Sequence, residues 1–151
     1  MFRMRILLLT AVLPVGLGRT AAAQVPTIST SGNPAAMTIS TAVAGSQPTD
    51  VSNSATTYST ANLQGGQPQK ITAQLNANMP TGVTLTVSLA VNASATSVGP
   101  VSLDVTARNV VININANQIA RTITYQLSAL ASAGVIASQT RTVTFTISDY
   151  P

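Results

Sequence analysis

The chain has 151 residues, only 7% of them charged, and its seven cations against three anions give a formal net charge of +4. Cysteine, histidine, tryptophan and glutamate are absent, which excludes disulfides, thiolate nucleophiles, soft-metal centres and most general acid–base chemistry. That length supports one domain with a real core, and the low charge predicts a neutral, hydroxyl-rich surface.

Residues 1–23 carry the three parts of a secretory signal peptide. Arg3 and Arg5 form a basic start, residues 6–17 (ILLLTAVLPVGL) are apolar, and Ala21, Ala22 and Ala23 supply small residues before Gln24. About 12 apolar residues, interrupted by Pro14 and Gly16, fall short of the roughly 20 needed to cross a bilayer core. Cleavage is expected after Ala23, giving an exported chain that resides in the periplasm, at the cell surface or outside the cell. It has no further membrane span and no cysteine for a lipid anchor. Cleavage also removes Arg3, Arg5 and Arg19. Lys70, Arg108, Arg121 and Arg141 then face Asp50, Asp104 and Asp149, a net charge of +1. The basic character therefore belongs mostly to the leader, and no stripe remains that would hold nucleic acid.

Residues 24–35 are rich in Pro, Gly, Ser and Thr and read as a flexible arm; residues 36–151 read as one β-domain. Met37, Ile39, Thr41 and Val43 alternate with small or polar residues and predict a first strand. A turn at residues 45–50 (GSQPTD) leads to a weaker strand over residues 51–60, whose core candidate is Tyr58. Ile71, Ala73 and Leu75 then alternate with Thr72, Gln74 and Asn76. After the turn at residues 78–82 comes the clearest pattern, with Val83, Leu85, Val87, Leu89 and Val91 on one face. A one-residue slip there would bury hydroxyls and expose every aliphatic side chain.

Val101, Leu103, Val105 and Ala107 repeat the alternation, with Asp104 and Arg108 on the outer face. Residues 109–115 (NVVININ) fit a short strand or a bend. Ile123, Tyr125, Leu127 and Ala129 make one further face, and Val143, Phe145 and Ile147 make the last. About seven strands with turns between them and no helical repeat predict an all-β, antiparallel, immunoglobulin-like sandwich following the cleaved leader. A jelly roll or small barrel is the alternative.

No residue set qualifies as catalytic, cofactor-binding or metal-binding, and no cofactor is expected. Lys70 reads as a solvated strand-start lysine, because no SxxK spacing supports a serine–lysine dyad. The isolated carboxylates Asp50 and Asp149 lack the clustering calcium requires, and Asp104 reads as an outward residue paired with Arg108 or Arg121. Asn92-Ala93-Ser94 matches a glycosylation sequon by chance. Thr84/Thr86, Thr122/Thr124 and Thr142/Thr144/Thr146 resemble the threonine ladders of some ice-binding proteins. Threonine is also the favoured polar residue on a solvent-facing strand, and these strands vary in spacing.

The segments TYST, KITAQL, MPTGVTLTVSLA, ITYQLSA and RTVTFTISD, from Tyr58 to the C-terminus, resemble those of exported bacterial β-domain proteins and of fimbrial subunits of the chaperone–usher type. That resemblance implies an immunoglobulin-like body, an N-terminal arm that completes a neighbour's sheet, and an alternating last strand near a penultimate tyrosine, here Tyr150. The chain departs from the pattern in lacking a cysteine pair, in the distance of Gly134 from the end, and in an arm without alternating hydrophobics before Met37. The expected role is a non-enzymatic structural or surface-assembly subunit, self-assembling or meeting other surface proteins through its sheet edges. The donor would be residues 24–43. The alternative is a carbohydrate-binding or adhesive module with a small-molecule ligand of unknown kind, and for that the sequence offers no tryptophan platform.

Overall fold

The computed structural model describes residues 25–41 and 45–151, so the leader lies outside the described residues. Alternation of β-branched and aliphatic residues with Thr and Ser builds nine strands in two antiparallel sheets, rather than about seven strands. In chain order these are β1 (Thr27–Thr30), β2 (Val51–Ala61), β3 (Gln69–Leu75), β4 (Val83–Leu89), β5 (Thr96–Ser97), β6 (Val101–Ser102), β7 (Arg108–Ile114), β8 (Arg121–Ala129) and β9 (Val143–Asp149). One sheet has the order β1-β2-β8-β4-β6 and the other β5-β7-β3-β9. The only helical turn among the described residues is a short 3-10 turn, Ala131–Ala133.

The core forms where the two inner faces meet. Ile71, Ala73, Leu75, Val110, Val111 and Ile114 come from one sheet; Tyr58, Leu85, Val87, Leu89, Ile123 and Tyr125 come from the other. The register of β4 against β8, from Val83 opposite Ala129 to Leu89 opposite Ile123, keeps both aliphatic rows on the inner face. Tyr58 is fully buried and its hydroxyl donates to the Ala90 carbonyl at 2.9 Å, so the polar tip is satisfied inside the sandwich.

Two sequence expectations change, and a third is decided between its two alternatives. Residues 37–41 form no strand, and Val43 lies outside the described residues. β1 pairs with the edge of β2, so the segment read as a flexible arm supplies a strand instead. Met37 still packs against the core, which accounts for the alternation without a ladder. Second, the strand expected over Val101 to Ala107 stops at Ser102. Leu103 is buried, but Val105 is half exposed, because the Asp104 carboxylate accepts from the Thr106 amide at 2.7 Å and turns the chain. Third, NVVININ is the central strand β7. Its alternation is broken by two bulges against β3, so that Val110 and Val111 are both buried, and Asn113 takes a φ of 54°.

Gly82 shows why the turn before β4 needs glycine. Its φ is 79°, and an added Cβ would stand 2.9 Å from the Ala133 Cβ. The Leu130 amide donates to the Gly82 carbonyl at 2.7 Å, tying the end of β8 to this turn.

The register of β4 is tested by a pair of substitutions. Leu85→Ala, buried, should cost about 2–5 kcal/mol in denaturant unfolding, and exposed Thr84→Ala well under about 1 kcal/mol. Equal losses would mean that the faces are reversed.

Candidate functional site

The ionisable residues are dispersed. Asp50 accepts from the Gln126 side chain at 2.9 Å, Asp149 accepts from the buried Gln69 amide at 2.6 Å, and Asp104 pairs with Arg108. The Arg108 guanidinium, followed by the Thr106 amide, holds the Asp104 carboxyl below the ordinary carboxylate range. Of the two partners the sequence allowed for Asp104, the structure selects Arg108. Arg141 donates to the Asn78 and Thr140 carbonyls, both at 3.0 Å, and to Gln139. Lys70 sits half-buried in β3 opposite Ser148. Among the described residues, no three acidic, histidine or cysteine side chains gather where a metal could be held.

The most elaborate polar constellation is one the sequence reading did not anticipate. Gln118, fully buried in the β7–β8 connection, donates through Nε2 to Asn92 Oδ1 at 2.8 Å and to the Ala116 carbonyl at 3.0 Å. Its Oε1 accepts from the Asn92 amide at 2.9 Å, and its own backbone amide donates to Thr60 Oγ1 at 2.9 Å. Asn92 Oδ1 also accepts from the Ser94 amide at 3.0 Å, while Asn92 Nδ2 donates to the Asn117 carbonyl at 3.2 Å. Both residues of the sequon are therefore spent on internal bonds. The network clamps the β4–β5 and β7–β8 loops to β2, a structural rather than a chemical task.

The outer face of the five-stranded sheet is a field of neutral hydroxyls and amides. Across β4 and β8, Thr84 faces Ser128, Thr86 faces Gln126 and Ser88 faces Thr124; Thr122 then faces Thr57 of β2, and Ser54 bonds Thr124 at 3.0 Å. The other sheet aligns Lys70 with Ser148, Thr72 with Thr146 and Gln74 with Thr144. The tyrosines that a glycan platform would need lie elsewhere: Tyr58 and Tyr125 are buried in the core. Burial, opposed by the nearby Arg121 charge, pushes the Tyr58 hydroxyl up to about 12; burial likewise raises Tyr125.

At one end of the sandwich a cavity of about 800 Å³ opens between residues 37–41, residues 45–48, the β3–β4 turn and residues 129–139, lined by Met37, Ile39, Met79, Pro80, Leu130 and Ile136 among others. None of its described lining residues is ionisable.

The remaining feature is the edge of the four-stranded sheet. β9 is paired on one side only, by β3. The Asn76 amide donates to the Thr142 carbonyl at 3.0 Å and the Tyr150 amide to the Pro68 carbonyl at 2.8 Å, which fixes the ladder's phase. By antiparallel alternation, Thr142, Thr144, Thr146 and Ser148 turn their main-chain groups to β3, and Val143, Phe145, Ile147 and Asp149 turn theirs outward. β9 contains no proline and no charge except Asp149, so it lacks the usual guards of an exposed edge. Comparison with family models, curated proteins and solved structures gave no match, so the reading of these surfaces rests on their own geometry.

Two measurements probe this arrangement. Gln118→Leu leaves the Asn92 amide and the Ala116 carbonyl without a partner and should cost about 1–3 kcal/mol for each group stranded. Asn117→Ala, an exposed residue that supplies only its carbonyl, should stay within about 0.5 kcal/mol. For Tyr58 the folded pKa lies above the unfolded value of 10.0. Its contribution to stability is complete below that value and is lost as pH rises toward about 12. Alkaline unfolding in that window, with a tyrosinate absorbance step that Tyr58→Phe reduces by its own share, is the expected result.

Proposed function

We propose that this chain is an exported, non-enzymatic structural or surface-assembly subunit that acts through its sheet edges. The observation that carries the reading is β9: a seven-residue strand with one side unpaired and no lysine or proline to repel a neighbour. The hydroxyl-rich outer faces support it as well, since they carry few charges to repel an approaching sheet of the same kind. β1, the edge strand of the other sheet, lies beside β9 and adds a second open margin on the same side of the sandwich; only Ile28 of its four residues is half-buried. Export rests on the basic, apolar and small-residue parts of residues 1–23.

Intact mass of protein recovered outside the cytoplasm should correspond to a chain starting at Gln24, and concentrated protein should give ordered polymers in electron micrographs. Residues 25–41 contribute no fully buried side chain, so deleting residues 24–44 should leave a folded body and abolish the polymers. Retention of residues 1–23 on exported protein defeats the localisation, and polymers from the truncated chain defeat the N-terminal role.

A further inference from the structure

The sequence running along the open edge is its own complement. From residue 141 onward it reads Arg-Thr-Val-Thr-Phe-Thr-Ile-Ser-Asp, centred on Phe145. Read backward against itself, Arg141 meets Asp149, Thr142 meets Ser148, Val143 meets Ile147, Thr144 meets Thr146, and Phe145 meets Phe145. Antiparallel strands related by a two-fold axis meet in this way. The backbone phase agrees independently. The outward main-chain groups belong to Val143, Phe145, Ile147 and Asp149, and about this centre Val143 and Ile147 fall opposite one another as hydrogen-bonding pairs, with Phe145 opposite its own copy.

We propose that two copies of this chain pair β9 to β9, antiparallel about Phe145, and so join their two four-stranded sheets into one continuous sheet. The inference rests on the reading of the chain as one that assembles through its edges, and it names the partner and register at one of them. Three hydrogen-bonded pairs supply roughly six ladder bonds. The half-buried row of Val143, Phe145 and Ile147 is covered by the same row of the other copy, and the two Phe145 rings are brought side by side.

Charge decides the register. The one ion pair among the described residues joins Asp104 and Arg108. Arg141 bonds to two carbonyls and an amide oxygen, and Asp149 to the Gln69 amide, so each lacks an opposite charge among the described residues. The two-fold pairing gives each one, twice per dimer. A shift of two residues removes both pairs, and parallel pairing sets like charges side by side.

The test uses the full chain, exported and purified, in sedimentation-velocity runs. Wild type should show a monomer–dimer equilibrium. Arg141→Asp and Asp149→Arg, each alone, turn both opposite-charge pairs into like-charge pairs and should weaken the dimer roughly tenfold or more. Mixed in equal amounts, the two variants should form the heterodimer at wild-type strength, because each Asp then faces an Arg. A second experiment leaves both charges in place and exploits the cysteine-free chain. Thr144 and the other copy's Thr146 form a non-hydrogen-bonded pair with Cα atoms about 4.5 Å apart, within reach of a disulfide. An oxidised mixture of Thr144→Cys and Thr146→Cys chains should give mainly the mixed disulfide, because identical positions lie about 7–8 Å apart. A strictly monomeric wild type at millimolar concentration, single charge variants that dimerise like wild type, or Thr84→Cys chains that cross-link as readily would each overturn the proposal. Ordered polymers indifferent to the charge exchange would retain the assembly reading and remove this contact, whereas a charge-dependent dimer that never polymerises would do the reverse.

Discussion

The meeting of two inner faces sets the terms for everything else in this molecule. Without a disulfide, the sandwich is held by a single apolar layer in which Ile71 and Leu75 on one side oppose Leu85, Val87, Leu89 and Ile123 on the other. Close packing of that layer leaves no slack in register, since moving any of these strands by one residue would turn its aliphatic row outward. The hydroxyl faces follow from the same alternation: once every second residue is committed inward, the remaining Thr and Ser have only the solvent side. What reads as a surface property is the complement of the core.

The polar interior is the second condition. Loops that close a sandwich carry backbone groups into low-polarity surroundings, and each must find a partner. Gln118 meets that demand for the connection between β7 and β8, while Thr60 and Asn92 extend it to β2 and the β4–β5 loop. A side chain with two donors and an acceptor reaching three segments does what a disulfide does in other small domains, by hydrogen bonds in place of a covalent link.

How much of this was legible in the sequence depends on whether a pattern was local. The strict two-residue alternation of Leu85, Val87 and Leu89, or of Ile123 and Tyr125, named both the strands and their buried faces. NVVININ did not, because two bulges place neighbouring valines on the same side and hide the period that defines a strand. Met37 and Ile39 misled in the opposite sense: Met37 packs against the core and Ile39 lines the end cavity, without any ladder. Gln118 was invisible for a different reason. An amide between Asn117 and Ile119 looks like loop filler, and only the fold brings Asn92 and Thr60 to it. The open edge was anticipated only in kind, from the scarcity of charge. Its main-chain phase required the two flanking hydrogen bonds at Thr142 and Tyr150.

The pairing of β3 with β9 has a further consequence, in the order of events during folding. Gln69 and Asp149, partners in the ladder, stand 80 positions apart, and all the other strands from β4 to β8 lie between them. During synthesis β3 can find β7 well before β9 exists. Its other margin stays bare until the last part of the domain has been made. Long-range pairings of this kind put the chain among the slow folders, on the order of milliseconds to seconds. Until then the four-stranded sheet ends at β3, and the last strand of the chain is the one that completes it.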